Sequence, residues 1–342
     1  MAKKRSTSRA VRKPSPRYGI AEWYGNDIGA MTPAQRQACG RLAVRQDQKA
    51  EVVDAPVCPF LSTLVPDARC NKTGGVCSIR RFDSDGKPVP NESVVTVCPN
   101  RFLQYLSSGE SLFDWISDKM LDKPNATIVK ETPFLRKIAE RRKADVAKNM
   151  SLEAKEESKK AGRIDWIVVD PSTVESGELA WCAVETQALY FSGGKMRAEF
   201  DAYAQAPSET LYPKGKRRPD YRSSGPKRLW PQLDVKVPVL RNWGKKVVVV
   251  VDKFFFESMN SLVDPFPRAR TDKEKRDNAD VAWFVVDYDS QMKMTKFDLV
   301  FTNLESSRHA LNATEPLSKE EFTRGLREVM ANPRRSKKVF KA

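Results

Sequence analysis

Five consecutive valines, Val247 to Val251, constrain this chain more than any other feature. Each is β-branched and stiff at χ1, and a bounded apolar run of this length has the dimensions of a strand, not a helix. With no polar residue in the run to face water, it reads as a buried strand, and the chain must build a sheet around it. Ile164 to Val169 reads as a strand closed by Asp170-Pro171, and Leu179 to Phe191 as a longer one. The residues Glu175 to Glu178 form a hairpin turn between these two. Val281 to Tyr288 and Phe297 to Phe301 supply further strands.

Helical patterns alternate with these runs. Thr32-Pro33 starts a capped helix running to about Gln48, with proline at its first position. Phe113, Ile116 and Met120 share one face of a short helix, and Met196, Phe200 and Tyr203 share a face of another. Glu131 to Lys160 reads as a charged helix. Leu229, Leu233, Val237 and Leu240 recur at helical spacing, although Pro238 must kink or shorten that helix. Ser318 and Glu321 form a capping box ahead of Phe322, Leu326, Val329 and Met330. The order of elements predicts an α/β fold with a mixed core. Its parts are a flexible basic arm over 1–18, a helical segment over 19–50, a loop-rich cysteine segment over 51–106, and the remaining chain from 107 to 342.

Composition narrows the chemistry. His309 is the single histidine, which excludes zinc sites built on paired histidines and leaves a Ser-His-Asp triad one imidazole to use. Carboxylate-metal, cysteine-metal and binding functions remain. The chain carries 60 Lys and Arg against 44 Asp and Glu, a net charge of +16, which suits a polyanionic partner. Residues 1–18 hold seven Lys or Arg and no acid, without the apolar stretch of a secretory signal. No apolar run approaches the roughly 20 residues that span a bilayer, so no membrane role is expected. Six cysteines are too few for a secreted disulfide scaffold, and a cytoplasmic location follows as the expectation.

Three constellations carry chemistry. Cys58, Cys70, Cys77 and Cys98 lie in one segment rich in turns, and two of them precede proline. Four thiolates suit a tetrahedral zinc or iron, although the spacing contains no Cys-x-x-Cys knuckle; four unrelated buried cysteines is the alternative. Asp165 lies on one strand, and Glu185-Thr186-Gln187 falls on the next, across a hairpin turn. Glu185 and Gln187, two apart, project from one face. Converging carboxylates bind Mg²⁺ through oxygen, and the metal activates a water for phosphodiester hydrolysis. The usual nuclease pattern is Glu-x-Lys; here glutamine replaces lysine, able to hydrogen-bond the water but carrying no charge. Finally, Lys214 to Leu229 holds seven Lys or Arg among Tyr, Ser and Gly. Arg217, Arg218, Arg222 and Arg228 are candidate DNA contacts, with Ser223, Ser224 and Lys227 for phosphates and Asp220 to accept from a cytosine amine.

Several stretches resemble the NotI/EagI type II restriction endonucleases. They are GlyArgIleAspTrpIleValVal at 162–169, AlaValGluThrGlnAla at 183–188, the run from Arg218 to Leu233, TrpGlyLysLys and the valines at 243–251, and the cysteine segment with its two Cys-Pro pairs. The resemblance implies a restriction-endonuclease-like core, a central mixed sheet flanked by helices, with a four-cysteine iron site beside it. It further implies a homodimer and palindromic GC-rich double-stranded DNA targets centred on GGCC. By position, Asp165, Glu185 and Gln187 inherit the catalytic places and Cys58, Cys70, Cys77 and Cys98 the iron ligands, with zinc as the alternative metal. Glu131 or Glu140 is expected to supply an additional helix carboxylate. The resulting expectation is Mg²⁺-dependent cleavage of both strands, leaving 5′-phosphates. A non-catalytic DNA-binding protein and a repair or junction nuclease selecting DNA shape are the alternatives.

Overall fold

A computed structural model of the chain describes residues 14–47, 55–125, 127–135, 162–175, 177–193, 196–312 and 317–331. Its strands in chain order are β1 (Arg17–Trp23), β2 (Asn26–Asp27), β3 (Val76–Phe82), β4 (Val95–Thr96), β5 (Thr127–Pro133), β6 (Arg163–Val169), β7 (Trp181–Thr186), β8 (Tyr190–Ser192), β9 (Arg218–Asp220), β10 (Val247–Asp252), β11 (Val281–Tyr288) and β12 (Met294–Thr302). The described helices are α1 (Pro33–Asp47), α2 (Leu112–Leu121), α3 (Arg197–Gln205), α4 (Tyr221–Ser224), α5 (Trp230–Asn242), α6 (Lys253–Glu257), α7 (Asp272–Asn278), α8 (Leu304–Asn312) and α9 (Lys319–Ala331).

The valine run is β10, near the middle of a six-stranded mixed sheet ordered β12-β11-β10-β7-β6-β5. It pairs in parallel with both β11 and β7, while β6, β5 and β12 add antiparallel. All five valines are fully buried. Val247, Val249 and Val251 face a layer holding Leu233, Val237 and Leu240 of α5. Val248 and Val250 face the opposite layer, with Phe113 and Ile116 of α2. Each such side chain contributes about 1.5–3 kcal/mol of transfer free energy, so β10 anchors both layers at once.

A second sheet, ordered β2-β1-β3-β4, stands beside the first. Trp23 of β1 stacks on Phe200 and meets Tyr203 edge-on, which seats α3 against this sheet. Helix α1 crosses α3 closely at Gly40, where a Cβ would lie 2.7 Å from the Ala204 nitrogen. A buried ion pair ties the second sheet to the cysteine segment. Arg101 Nε donates to Glu22 Oε2 at 2.7 Å, and Ser78 donates to the same oxygen. The guanidinium lies over the rings of Phe60 and Tyr288 and reaches the Met292 carbonyl. One arginine thus connects the cysteine segment, β1 and the β11–β12 turn.

Several expectations match. Thr32 and Gln35 cap α1 reciprocally, Ser318 and Glu321 do the same for α9, and Met120, Phe113 and Ile116 are buried on α2. Others need correction. The long strand expected over 179–191 is two strands, because the chain changes partners after Gln187, whose amide still bonds β10. Gln187 N–H donates to Val250, Leu189 N–H donates to Thr96 of β4, and β8 then pairs with β9 in a separate ribbon. Glu131 begins no helix: it lies in β5, with φ at 51° and its side chain exposed beside Arg163. The expected helix beyond residue 135, including Glu140, lies outside the described residues, as do 1–13 of the basic arm. Arg17 and Tyr18, assigned to that arm, belong to β1, and the segment 19–50 therefore opens with a strand. Helix α5 runs through Pro238 without ending. The amide that proline lacks would have met the carbonyl of Asp234, an exposed residue.

Removing one partner of a buried ion pair leaves the other charge uncompensated, at a cost of about 3–5 kcal/mol. Glu22→Ala is therefore expected to lower the unfolding free energy from urea titration by an amount in that range, with a matching fall in the midpoint. An unchanged midpoint would show that Arg101 holds its place without Glu22.

Candidate active site

The central sheet brings Asp165 and Glu185 together. Trp166 of β6 is registered opposite Val184 of β7, so the residues preceding and following that pair sit side by side. Glu185 shares a face with Ala183, which packs in the layer containing α5, and it pairs with Val249 of β10. Asp165 is half-buried, whereas Glu185 is buried. Asp165 Oδ2 accepts from the Thr186 backbone at 3.0 Å and from the Thr186 hydroxyl at 3.2 Å. The strand that carries Glu185 thus also fixes the neighbouring carboxylate.

Two anions so close in a dry site repel each other. Burial first, and then the charge of Asp165, push the Glu185 carboxyl up to about 8 against the opposing pull of Lys236. Lys236 is a residue the sequence reading did not single out. It enters from α5, is fully buried, and donates from Nζ to Glu185 Oε1 at 2.6 Å and to Gln232 Oε1 at 3.2 Å. A signal for it was available: Lys236 falls on the same helical face as Leu233, Val237 and Leu240, where a charge needs a partner. Gln187 follows the end of β7, nearly buried, and its Nε2 donates to the Ala188 carbonyl at 2.6 Å.

Three residues beyond Gln187 the chain enters the β8–β9 ribbon, which leads into α4 and a π-helical turn over Gly225–Leu229. This segment sorts the expected DNA contacts into two sets. Arg218, Arg222 and Lys227 are exposed, and Arg228 lies over the Tyr190 ring at 3.7 Å while donating to its hydroxyl. Arg217 is turned inward instead, paired with buried Glu199 at 3.0 Å. Ser224 is also buried; its hydroxyl accepts from the Tyr190 amide and donates to the Asp220 carbonyl. Asp220 caps α4, accepting from both the amide and the hydroxyl of Ser223. Arg217 and Ser224 are thus interior groups, and Asp220 and Ser223 spend their polar atoms on one another.

The four cysteines of the 51–106 segment are all free thiols. Cys58, Cys77 and Cys98 are buried and Cys70 is half-buried, all in the layer beside α2. Burial raises the Cys70, Cys77 and Cys98 thiols, and the neighbouring sulfurs add to it: Cys58 and Cys98 act on Cys70, and Cys98 and Cys70 on Cys77. The Leu61 amide donates to Cys58 Sγ at 3.4 Å. Among the described residues, no three His, Cys, Asp or Glu side chains are grouped closely enough to hold a metal ion. Nor is any described helix long and apolar enough to cross a membrane.

A family model described as "Restriction endonuclease NotI" matches residues 41–299. No curated protein and no solved structure matches the chain. The matched span includes the cysteine segment, the paired carboxylates, the basic ribbon and β10. With most of its length matched, the chain belongs to the NotI family of restriction endonucleases, type II enzymes that cut DNA at specific sites.

Proposed function

We propose that this enzyme uses Mg²⁺ to cut both strands of a short palindromic, GC-rich site with a GGCC core, leaving 5′-phosphates. The convergence of Asp165 and Glu185 at the sheet carries this reading. The two carboxylates offer an oxygen-rich donor set, which suits a hard cation. Asp165 and Glu185 would hold Mg²⁺. When bound, it activates a water and offsets the charge developing on the phosphate. Gln187 orients the attacking water through its amide, a role that needs no charge. A homodimer follows from the symmetry of a palindromic target, since two equivalent strands call for two equivalent sites.

The exposed Arg218, Arg222 and Lys227 and the half-buried Arg228 are the proposed DNA contacts; arginine forks suit guanine edges and lysine suits phosphates. Cys58, Cys70, Cys77 and Cys98 are proposed to hold one iron or zinc with a structural role. The chemistry of the donors supports this: four unbridged thiols share one layer, where burial first, and then neighbouring sulfurs, raise three of them. Thiolate ligands bound to a cation relieve that repulsion.

Three outcomes test the reading. Incubated with Mg²⁺ and a large plasmid, the protein is expected to give discrete fragments. No cutting would favour a DNA-binding protein without catalysis, and cutting confined to branched DNA would favour a shape-selective nuclease. Glu185→Ala should abolish cleavage while specific binding persists in Ca²⁺; cleavage at the wild-type rate would sink the catalytic assignment.

Among the arginines, Arg222→Ala should weaken DNA binding at unchanged melting temperature. Arg217→Ala should lower the melting temperature, by analogy with other broken buried pairs, which cost about 3–5 kcal/mol. The opposite assignment of effects would reverse the two roles.

Elemental analysis is expected to find one iron or zinc per chain, reduced in Cys70→Ser together with folding yield. A metal-free wild-type protein with full activity would overturn the cysteine proposal.

A further inference from the structure

We propose that Lys236 is a positioning residue of the cleavage site, supplying from α5 the cation that the Glu-x-Gln strand lacks. The inference rests on the reading of Asp165 and Glu185 as the cleavage site. In this chain the strand position two beyond Glu185 holds glutamine, a neutral side chain. The Gln187 amide nitrogen is engaged by the Ala188 carbonyl at 2.6 Å. The cation bonded to Glu185 comes from a different element. Lys236 Nζ reaches Glu185 Oε1 at 2.6 Å across the interface between α5 and the sheet.

Two observations separate this arrangement from a packing accident. Lys236 is fully buried on the apolar face of α5, where Leu233, Val237 and Leu240 fill the core. A buried ion pair at such a place is commonly replaceable by apolar residues without loss of stability, so the fold alone does not call for lysine. The ammonium is also held at a second point. Gln232, one helical turn earlier, accepts from Nζ at 3.2 Å, so the charge is fixed in position and not merely neutralised. With Thr186 holding Asp165 and Lys236 holding Glu185, each carboxylate has its own restraint. Fixing both restricts the oxygens that face the scissile phosphate to one arrangement, and misplacement of such groups by about 1 Å costs on the order of a hundredfold in rate.

The decisive comparison uses the full-length wild type, Lys236→Met, and the double variant Lys236→Met with Gln187→Lys, which moves the cation from helix to strand. The substrate is a duplex oligonucleotide spanning a wild-type cut site mapped on a plasmid. Melting temperature, DNA Kd in Ca²⁺ and single-turnover cleavage rate in Mg²⁺ are measured for each. Lys236→Met is expected to lower the melting temperature, because it leaves Glu185 buried without its partner; the folded variant keeps its Kd within about threefold while its cleavage rate falls about a hundredfold. The double variant is expected to regain at least about tenfold of that loss, because the cation again stands beside Glu185. Cleavage by folded Lys236→Met within about threefold of wild type overturns the proposal and leaves the nuclease reading intact. If Lys236→Met does not fold, the double variant decides alone: folded and cleaving supports the proposal, folded and inactive overturns it. A wild type that cuts neither plasmid nor oligonucleotide removes the nuclease reading and this inference with it.

Discussion

Strand β10 must be covered on both faces, and much of the molecule is arranged by that requirement. Alternate valines face opposite layers, so one six-residue strand needs α5 on one side and α2 with the cysteine segment on the other. Parallel pairing on both edges then requires crossover connections, because two parallel strands cannot be joined by a tight hairpin. The chain between β7 and β10 is one such connection, and it contains α3, the ribbon and α5. The candidate DNA contacts and Lys236 are therefore carried on the crossover that the central strand demands. The same parallel register sets Glu185 beside Val249.

That dependence explains how a polar site survives within so apolar a sheet. Glu185 lies on the buried face of β7, where an isolated carboxylate would neutralise instead of remaining charged. Asp165 makes the difficulty worse and Lys236 eases it, which is why the carboxyl is pushed up to about 8 instead of being fully stabilised as an anion. A carboxyl raised in this way is found where chemistry needs a cation or a proton to arrive. Stability alone would favour an apolar substitution at all three positions.

The elements with strong local signals were legible in the sequence. β10, β6 and β11 announce themselves by β-branched runs, and α1 and α9 by reciprocal caps whose hydrogen bonds are present. Asp165 and Glu185 could be paired because a hairpin turn between two readable strands fixes which residues meet. The remainder depended on partners distant in the chain. β1 reads as the end of a basic arm and the start of a helical segment until it meets β3, some 60 residues later, and residues 188–189 read as strand until Thr96 draws them out of the sheet. Glu131 carries a helical neighbourhood in sequence, yet its segment pairs with β6. Lys236 was hidden for another reason: an apolar pattern was used to define its helix, and the charged residue on that face was passed over.

The net charge of +16 has to be apportioned in the same way. Arg101, Arg217 and Lys236 each face a buried carboxylate, so these pairs are neutral and leave the surface excess unchanged. They do decide which basic residues reach solvent. Arg217 and Arg218 are adjacent in the chain, but the backbone enters β9 at Arg218, and successive side chains of an extended segment point to opposite sides. One arginine closes on Glu199 and holds the base of the ribbon; the next stands in water. A basic run read only as composition makes the two equivalent. Read as extended backbone anchored at one end, it divides into an interior set that fixes the ribbon and an exposed set available to a phosphate backbone.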